Sequence, residues 1–108
     1  PKFEDEMIGK KLALTGAIAD SVYQEDIVGM YGLQFFRENY TENFRRAYGL
    51  NADDLALSDA DLIIHLAKKN GFADNYNRMA ERIIFDARQG KFGRYTLEKP
   101  EAENDANA

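Results

Sequence analysis

The stretch RQGKFGR, residues 88 to 94, gathers residue types that hold phosphate: two glycines, a lysine and two arginines. Three chemistries use such a set. A nucleotide phosphate loop needs Gly-x-x-x-x-Gly-Lys-Ser/Thr between a strand and a helix, so that backbone N–H groups and a helix N-terminus face the anion. Here Lys91 precedes the second glycine and no Ser or Thr follows it. The preceding segment also reads as a helix end, where the dipole repels anions. Order and dipole sign both argue against a nucleotide cradle. Two readings stay open. In one, Gly90 is the glycine that stops a helix and Lys91 sits beside its last carbonyls. In the other, Arg88, Lys91 and Arg94 are cations for an RNA backbone, with Phe92 or Tyr95 available to stack on bases.

Other chemistry is sparse. The chain has no cysteine, which excludes disulfides and thiolate metal sites, and it has one histidine, His65. His65 falls on the polar face of a helix, four residues after Asp61, and reads as a surface histidine paired with that acid. A stand-alone hydrolase built on His65 would need a cleft and a second partner, and the sequence suggests neither. The basic pairs Lys10-Lys11, Arg45-Arg46 and Lys68-Lys69 sit in or near helix ends, where the dipole accounts for the last two. They could also converge from separate helices into one positive face.

Charge is informative once it is located. The 108 residues carry a net charge of -5. Residues 1–6 set Lys2 against Glu4, Asp5 and Glu6, and residues 98–108 set Lys99 against Glu98, Glu101, Glu103 and Asp105. The body between them is neutral. Within it, residues 76–97 hold Arg78, Arg82, Arg88, Lys91 and Arg94 against Glu81 and Asp86. A neutral domain with a basic end can bind an anion, although the signal is weaker than that of a domain with high pI.

The elements that must position these groups read as helices punctuated by glycines. "MIGKKLALTGAI" repeats apolar residues at roughly helical spacing. "QEDIVGMYGLQFFRENY" is apolar on nearly every side, the mark of a central buried helix, with Glu25 and Asp26 in its first turn and Arg37 near its end, as the dipole favours. Thr41 reads as the N-cap of "ENFRRAY" and Gly49 as its stop. Residues 50–57 read as a loop. Ser58 with Asp61 resembles a capping box before "DADLIIHLAKKN", which ends at Gly71. A last helix begins near Asp74, with an inward stripe of Tyr76, Ala80, Ile83, Ile84 and Ala87, and stops at Gly90. "FGRYTL" reads as extended or irregular, and "EKPEAENDANA" as disordered. The prediction is an all-α bundle of four to five helices. No apolar run approaches the ~20 residues of a membrane span, and the composition is that of a soluble domain, expected in the cytoplasm.

By residue chemistry alone this is a small helical binding module. Its ends carry more. "PKFED…GKKLALTGAI", "DIVGMYGLQFFRENY", "RAYGL" and "RIIFDARQGKFGRYTLE" resemble, in order and spacing, the C-terminal domain of ribosome biogenesis GTPases of the YlqF/RbgA type, over about residues 1–97. The resemblance implies a circularly permuted GTPase domain upstream, so that Pro1 is a cut point and residues 1–6 are a strap from that missing domain. It divides the chain into this strap, a helical domain over 7–97 and the acidic tail over 98–108. It implies a helical fold similar to the RNA-binding domain of transcription antiterminators. It also implies action late in assembly of the large ribosomal subunit, with GTP and Mg required by the missing domain and neither needed by this chain.

On that resemblance the chain is no enzyme. It docks a GTPase on the precursor subunit through rRNA, with ribosomal proteins and its own GTPase domain as further partners. Arg78, Arg82, Arg88, Lys91 and Arg94 are the expected RNA contacts, with Lys10, Lys11, Lys68 and Lys69 as a second set. The competing expectation is a protein-binding or intramolecular module without direct RNA contact.

Overall fold

A helix with almost no polar side sits at the centre. The computed structural model describes residues 2–18 and 23–97, with side chains described from Glu6 onward. It is all-helical among those residues: α1 (Lys2–Thr15), α2 (Glu25–Asn39), α3 (Thr41–Tyr48), α4 (Ala52–Leu55), α5 (Asp59–Lys69) and α6 (Tyr76–Arg88). Val28, Tyr31, Leu33, Phe35 and Phe36 of α2 are all buried. So many apolar positions around one helix require neighbours on several sides. Accordingly α2 packs against α1, α3, α5 and α6, most extensively against α6.

The α2–α6 approach depends on a missing side chain. A β-carbon on Gly29 would stand 2.5 Å from Ala80 Cβ and 2.6 Å from the Ala80 carbonyl oxygen. Gly32, one turn on, is less tightly met, by the side-chain methyls of Leu14 at 3.0 Å and Ile83 at 3.3 Å. Glycine in a helix interior costs about 0.5–1 kcal/mol relative to alanine. Close packing of the two central helices offsets it here.

Helix ends follow local chemistry. Gly90, at φ +80°, closes α6: the Lys91 N–H reaches the Asp86 carbonyl at 2.9 Å and the Gly90 N–H reaches Ala87 at 3.2 Å. That pair of bonds is a Schellman motif, which favours glycine at the left-handed position. The expected stops at Gly49 and Gly71 close α3 and α5 with the same pattern. Ser58 caps α5 by accepting from the Asp61 N–H at 3.1 Å.

Several expectations are corrected. Among the described residues there are six helices, against an expected four to five, because the expected loop over 50–57 contains the single turn α4. Asn51 and Asp54 cap it reciprocally. The segment expected as a strap is helical over residues 2–6, the first turns of α1. Thr41 is not an N-cap, since its hydroxyl donates back to the Arg37 carbonyl at 2.5 Å. The last helix starts at Tyr76 with Asn75 as its cap, and Tyr76 is exposed rather than part of the inward stripe. Arg37 does more than complement a dipole. Its guanidinium bonds the Leu55 and Leu57 carbonyls and pairs with Asp59, tying the α4–α5 corner to α2. The tail over 98–108, expected as disordered, lies outside the described residues.

Candidate nucleic-acid interface

The site grows from the α6 C-terminus. The Schellman turn reverses the chain and sends residues 91–93 back toward α3. Phe92 enters the core there, fully buried, with its ring centre 4.5 Å from Phe36 and 5.6 Å from both Phe44 and Tyr48. Asn43 donates to the Phe92 carbonyl at 2.8 Å, fixing the turn against α3. Phe92 is therefore an anchor and cannot stack on a nucleobase. Tyr95 is half-buried, edge-on to Phe36 at 4.8 Å, and burial pushes its phenol pKa up. The irregular segment over 92–97 is pinned further along, where the Thr96 N–H donates to the Tyr40 hydroxyl at 2.9 Å.

Beneath the turn lies a buried carboxylate. Asp86 is 3% exposed. It accepts the Tyr48 hydroxyl at 2.6 Å and Arg82 Nε at 3.1 Å, and Lys91 Nζ stands 3.9 Å away. Lys91 also lies over the Tyr48 ring, 5.4 Å from its centre, a cation–π arrangement. Burial, then the bond to Asp86, pushes the Tyr48 phenol far above its ordinary pKa. One buried negative charge thus holds two cations from different elements, and together they leave a surplus of one positive charge.

Two recesses flank this pair. A groove of about 370 Å³ runs between α3 and the turn, lined by Asn43, Arg46, Ala47 and residues 90–93. Its lining has two cations, Arg46 and Lys91, and no acid. Arg45 takes no part, because it forks onto Glu42 with contacts of 2.5–3.0 Å. Hydrogen bonding from Arg45 lowers the Glu42 pKa and raises that of Arg45 itself. On the other side of Arg82 is a recess of about 220 Å³, lined by Phe72, Arg78, Glu81, Arg82 and Phe85.

The expected RNA contacts divide accordingly. Arg82 and Lys91 come together on Asp86. Arg78 joins them through the second recess, its guanidinium 4.9 Å from the centre of the Phe72 ring. Arg94 is exposed just past the turn. Arg88 is differently engaged: it donates to the Leu14 carbonyl at 3.2 Å and the Ala13 carbonyl at 2.8 Å, capping the end of α1. Lys10 and Lys11 line two separate clefts beside α1. Lys68 and Lys69 are exposed at the end of α5.

Sequence reasoning explained Arg46 by the helix dipole and so passed over its place in the groove. Glu42 stands three residues before Arg45 and four before Arg46, so spacing allows either pair, and only the structure shows Arg45 taking it and leaving Arg46 to the groove. His65 pairs not with Asp61 but with Asp54, whose Oδ1 lies 3.2 Å from Nε2 without hydrogen-bond alignment. The α4 turn brings that acid in.

The described residues include no phosphate-loop sequence, and no three His, Cys, Asp or Glu residues among them stand together as a metal site. No described helix is long and apolar enough to cross a membrane.

No family model matches the chain, but curated relatives do. It is 43% identical over 107 residues to Ribosome biogenesis GTPase A of Bacillus pumilus, a match covering 94% of this chain and 37% of that protein. The protein of the same name from Bacillus licheniformis is 42% identical over 106 residues, with 94% and 37% covered. That from Priestia megaterium is 37% identical over 107 residues, with 95% and 37% covered. The chain spans little more than a third of the length of these curated relatives. With such identity sustained over nearly all of it, this helical domain belongs to the ribosome biogenesis GTPase family of the YlqF/RbgA type, as the C-terminal part that its sequence resembles.

Proposed function

We propose that the domain docks its GTPase on rRNA of the immature large ribosomal subunit, using the cationic surface around the residue 90–93 turn. GTP hydrolysis, with GTP and Mg²⁺, belongs to the remainder of the protein, and the setting is the cytoplasm. The observation that carries this reading is the Arg46–Lys91 groove. It concentrates positive charge without an acid in its lining, on a body whose charges balance as a whole. Arg82 extends it along α6, and Arg94 extends it past the turn. Phosphate contacts of this kind give affinity without sequence readout.

The test is filter binding of the chain to large-subunit RNA across a salt series. Each phosphate contact contributes about -0.7 to -0.9 to the slope of log K against log salt. Arg46→Glu with Lys91→Glu is expected to weaken binding and to flatten the slope by about two contacts. Unchanged affinity and slope would remove these residues from the interface.

A second reading rests on a different surface. Ile27 and Tyr76 are exposed at the rim of a cleft of about 380 Å³ that also contains Met7, Met30 and Lys10, and Ile8 and Leu12 are exposed on α1. A protein partner, either the GTPase domain or a ribosomal protein, suits that apolar face. Binding that persists after RNase treatment and ignores salt would favour it.

A further inference from the structure

We infer that Phe85 is a stacking platform for an unpaired RNA base, with Arg78 and Arg82 placed to take the adjoining phosphates. The inference rests on the RNA-docking reading above and names the form of RNA this part of the surface accepts. Phe85 is the most exposed large apolar residue described, at 57%. A single exposed aromatic is ordinary, but this one has built surroundings. Arg78, Glu81, Arg82 and Phe85 occupy successive turns on one face of α6, and with Phe72 they line the recess of about 220 Å³. Arg78 already lies over the Phe72 ring, 4.9 Å from its centre, so the rim pairs a guanidinium with an aromatic face. Arg82 is held through its Nε by buried Asp86 at 3.1 Å, which leaves its two terminal nitrogens for an anion.

The charged neighbours disfavour an apolar protein surface, which would have to desolvate three ionic groups to reach the ring. A nucleotide does not. Its base covers the ring while its phosphates meet Arg78 and Arg82, the combination used in single-strand recognition. Glu81, the one acid of the five, can accept from an exocyclic amino group of the base. The recess is linked to the Arg46–Lys91 groove through one carboxylate. Arg82 borders the recess, Lys91 borders the groove, and both are held by Asp86. A strand could therefore cross from one to the other.

The chain contains no tryptophan, so Phe85→Trp installs a single indole reporter. Titration with a short single-stranded RNA is expected to quench that indole, and the same strand annealed to its complement is expected to quench it far less. Phe85→Ala is expected to lower single-strand affinity by about 5- to 150-fold, since stacking is worth about 1–3 kcal/mol per base by alanine substitution. The salt slope should stay unchanged, because no charge is removed. Phe85→Tyr should restore affinity. Circular dichroism melts should show the variants as stable as wild type, the side chain being exposed. If Phe85→Ala binds single strands like wild type while Arg46→Glu/Lys91→Glu does not, stacking is overturned and docking stands. If wild type binds no RNA of either form, both fall. Equal quenching by the duplex, or quenching only by a ribosomal protein, also overturns the stacking inference.

Discussion

At Asp86 a single buried carboxylate serves three partners, and the consequences can be measured there. Tyr48 donates to it from α3, while Arg82 and Lys91 approach from either end of the α6 C-terminal turn. Removing the hydroxyl leaves the carboxylate with one bond fewer in a site that excludes water. Tyr48→Phe is expected to cost about 1.5–3 kcal/mol, the range for hydrogen bonds to a charged group, read from denaturant midpoints. The same pair predicts a pH dependence. Burial and the carboxylate raise the folded-state phenol pKa above its ordinary value near 10. The unfolded chain therefore releases this proton first as pH rises. Stability is fully present below about pH 10 and declines above it. The decline should be shallower in Tyr48→Phe than in wild type, and parallel alkaline slopes would show that Tyr48 titrates normally.

At the scale of elements, the pairing of α2 with α6 decides the architecture. Gly29 is the point where the α6 backbone comes closest, and the atoms it would meet include Ala80 Cα and carbonyl oxygen. Backbone cannot swing aside as a side chain does. Gly29→Ala is thus expected to destabilise by about 1–3 kcal/mol through overpacking, although alanine is the better helix former. Ala80→Gly in the same chain should recover part of the loss, since it removes one of the three close atoms. Additive effects of the two changes in a double-mutant cycle would place the strain elsewhere. Arg37 shows the same principle without glycine: one side chain at the α2 end holds the α4–α5 corner through two carbonyls and Asp59.

For the whole molecule, the proposed docking on RNA has to contend with a net charge of -5. Its acidity is uneven. Lys99 stands against four acids within residues 98–108, and the cationic surface gathers around the α6 C-terminus. A chain ending at Leu97 is expected to bind large-subunit RNA more tightly than the full chain at low salt. The two should converge as salt shortens the screening length from about 10 Å at 0.1 M to about 3 Å at 1 M. A difference that persists at high salt would mean that the tail acts by contact rather than by charge.

What the amino-acid order determined by itself was local. The stops at Gly49, Gly71 and Gly90 were legible because a left-handed closure depends on one residue type at one position. The central burial of α2 was legible because its apolar residues leave almost no polar side. The neutral body and acidic tail follow from counting charges, and the order of short motifs pointed to the family. Tertiary structure decided the rest. Phe92 and Phe85 are the same residue type seven positions apart, yet one is an anchor in the core and the other stands in solvent. The difference lies in where the turn after Gly90 sends the chain and in the α3 side chain, Asn43, that catches it. Arg88 and Arg82 likewise look equivalent on one helix, but the first caps α1 and the second is held on Asp86. Periodicity places a residue on a helix face. Which neighbour covers that face depends on contacts between residues far apart in the chain: Arg82 finds its partner four residues on along α6, whereas Arg88 finds its partners at the end of α1.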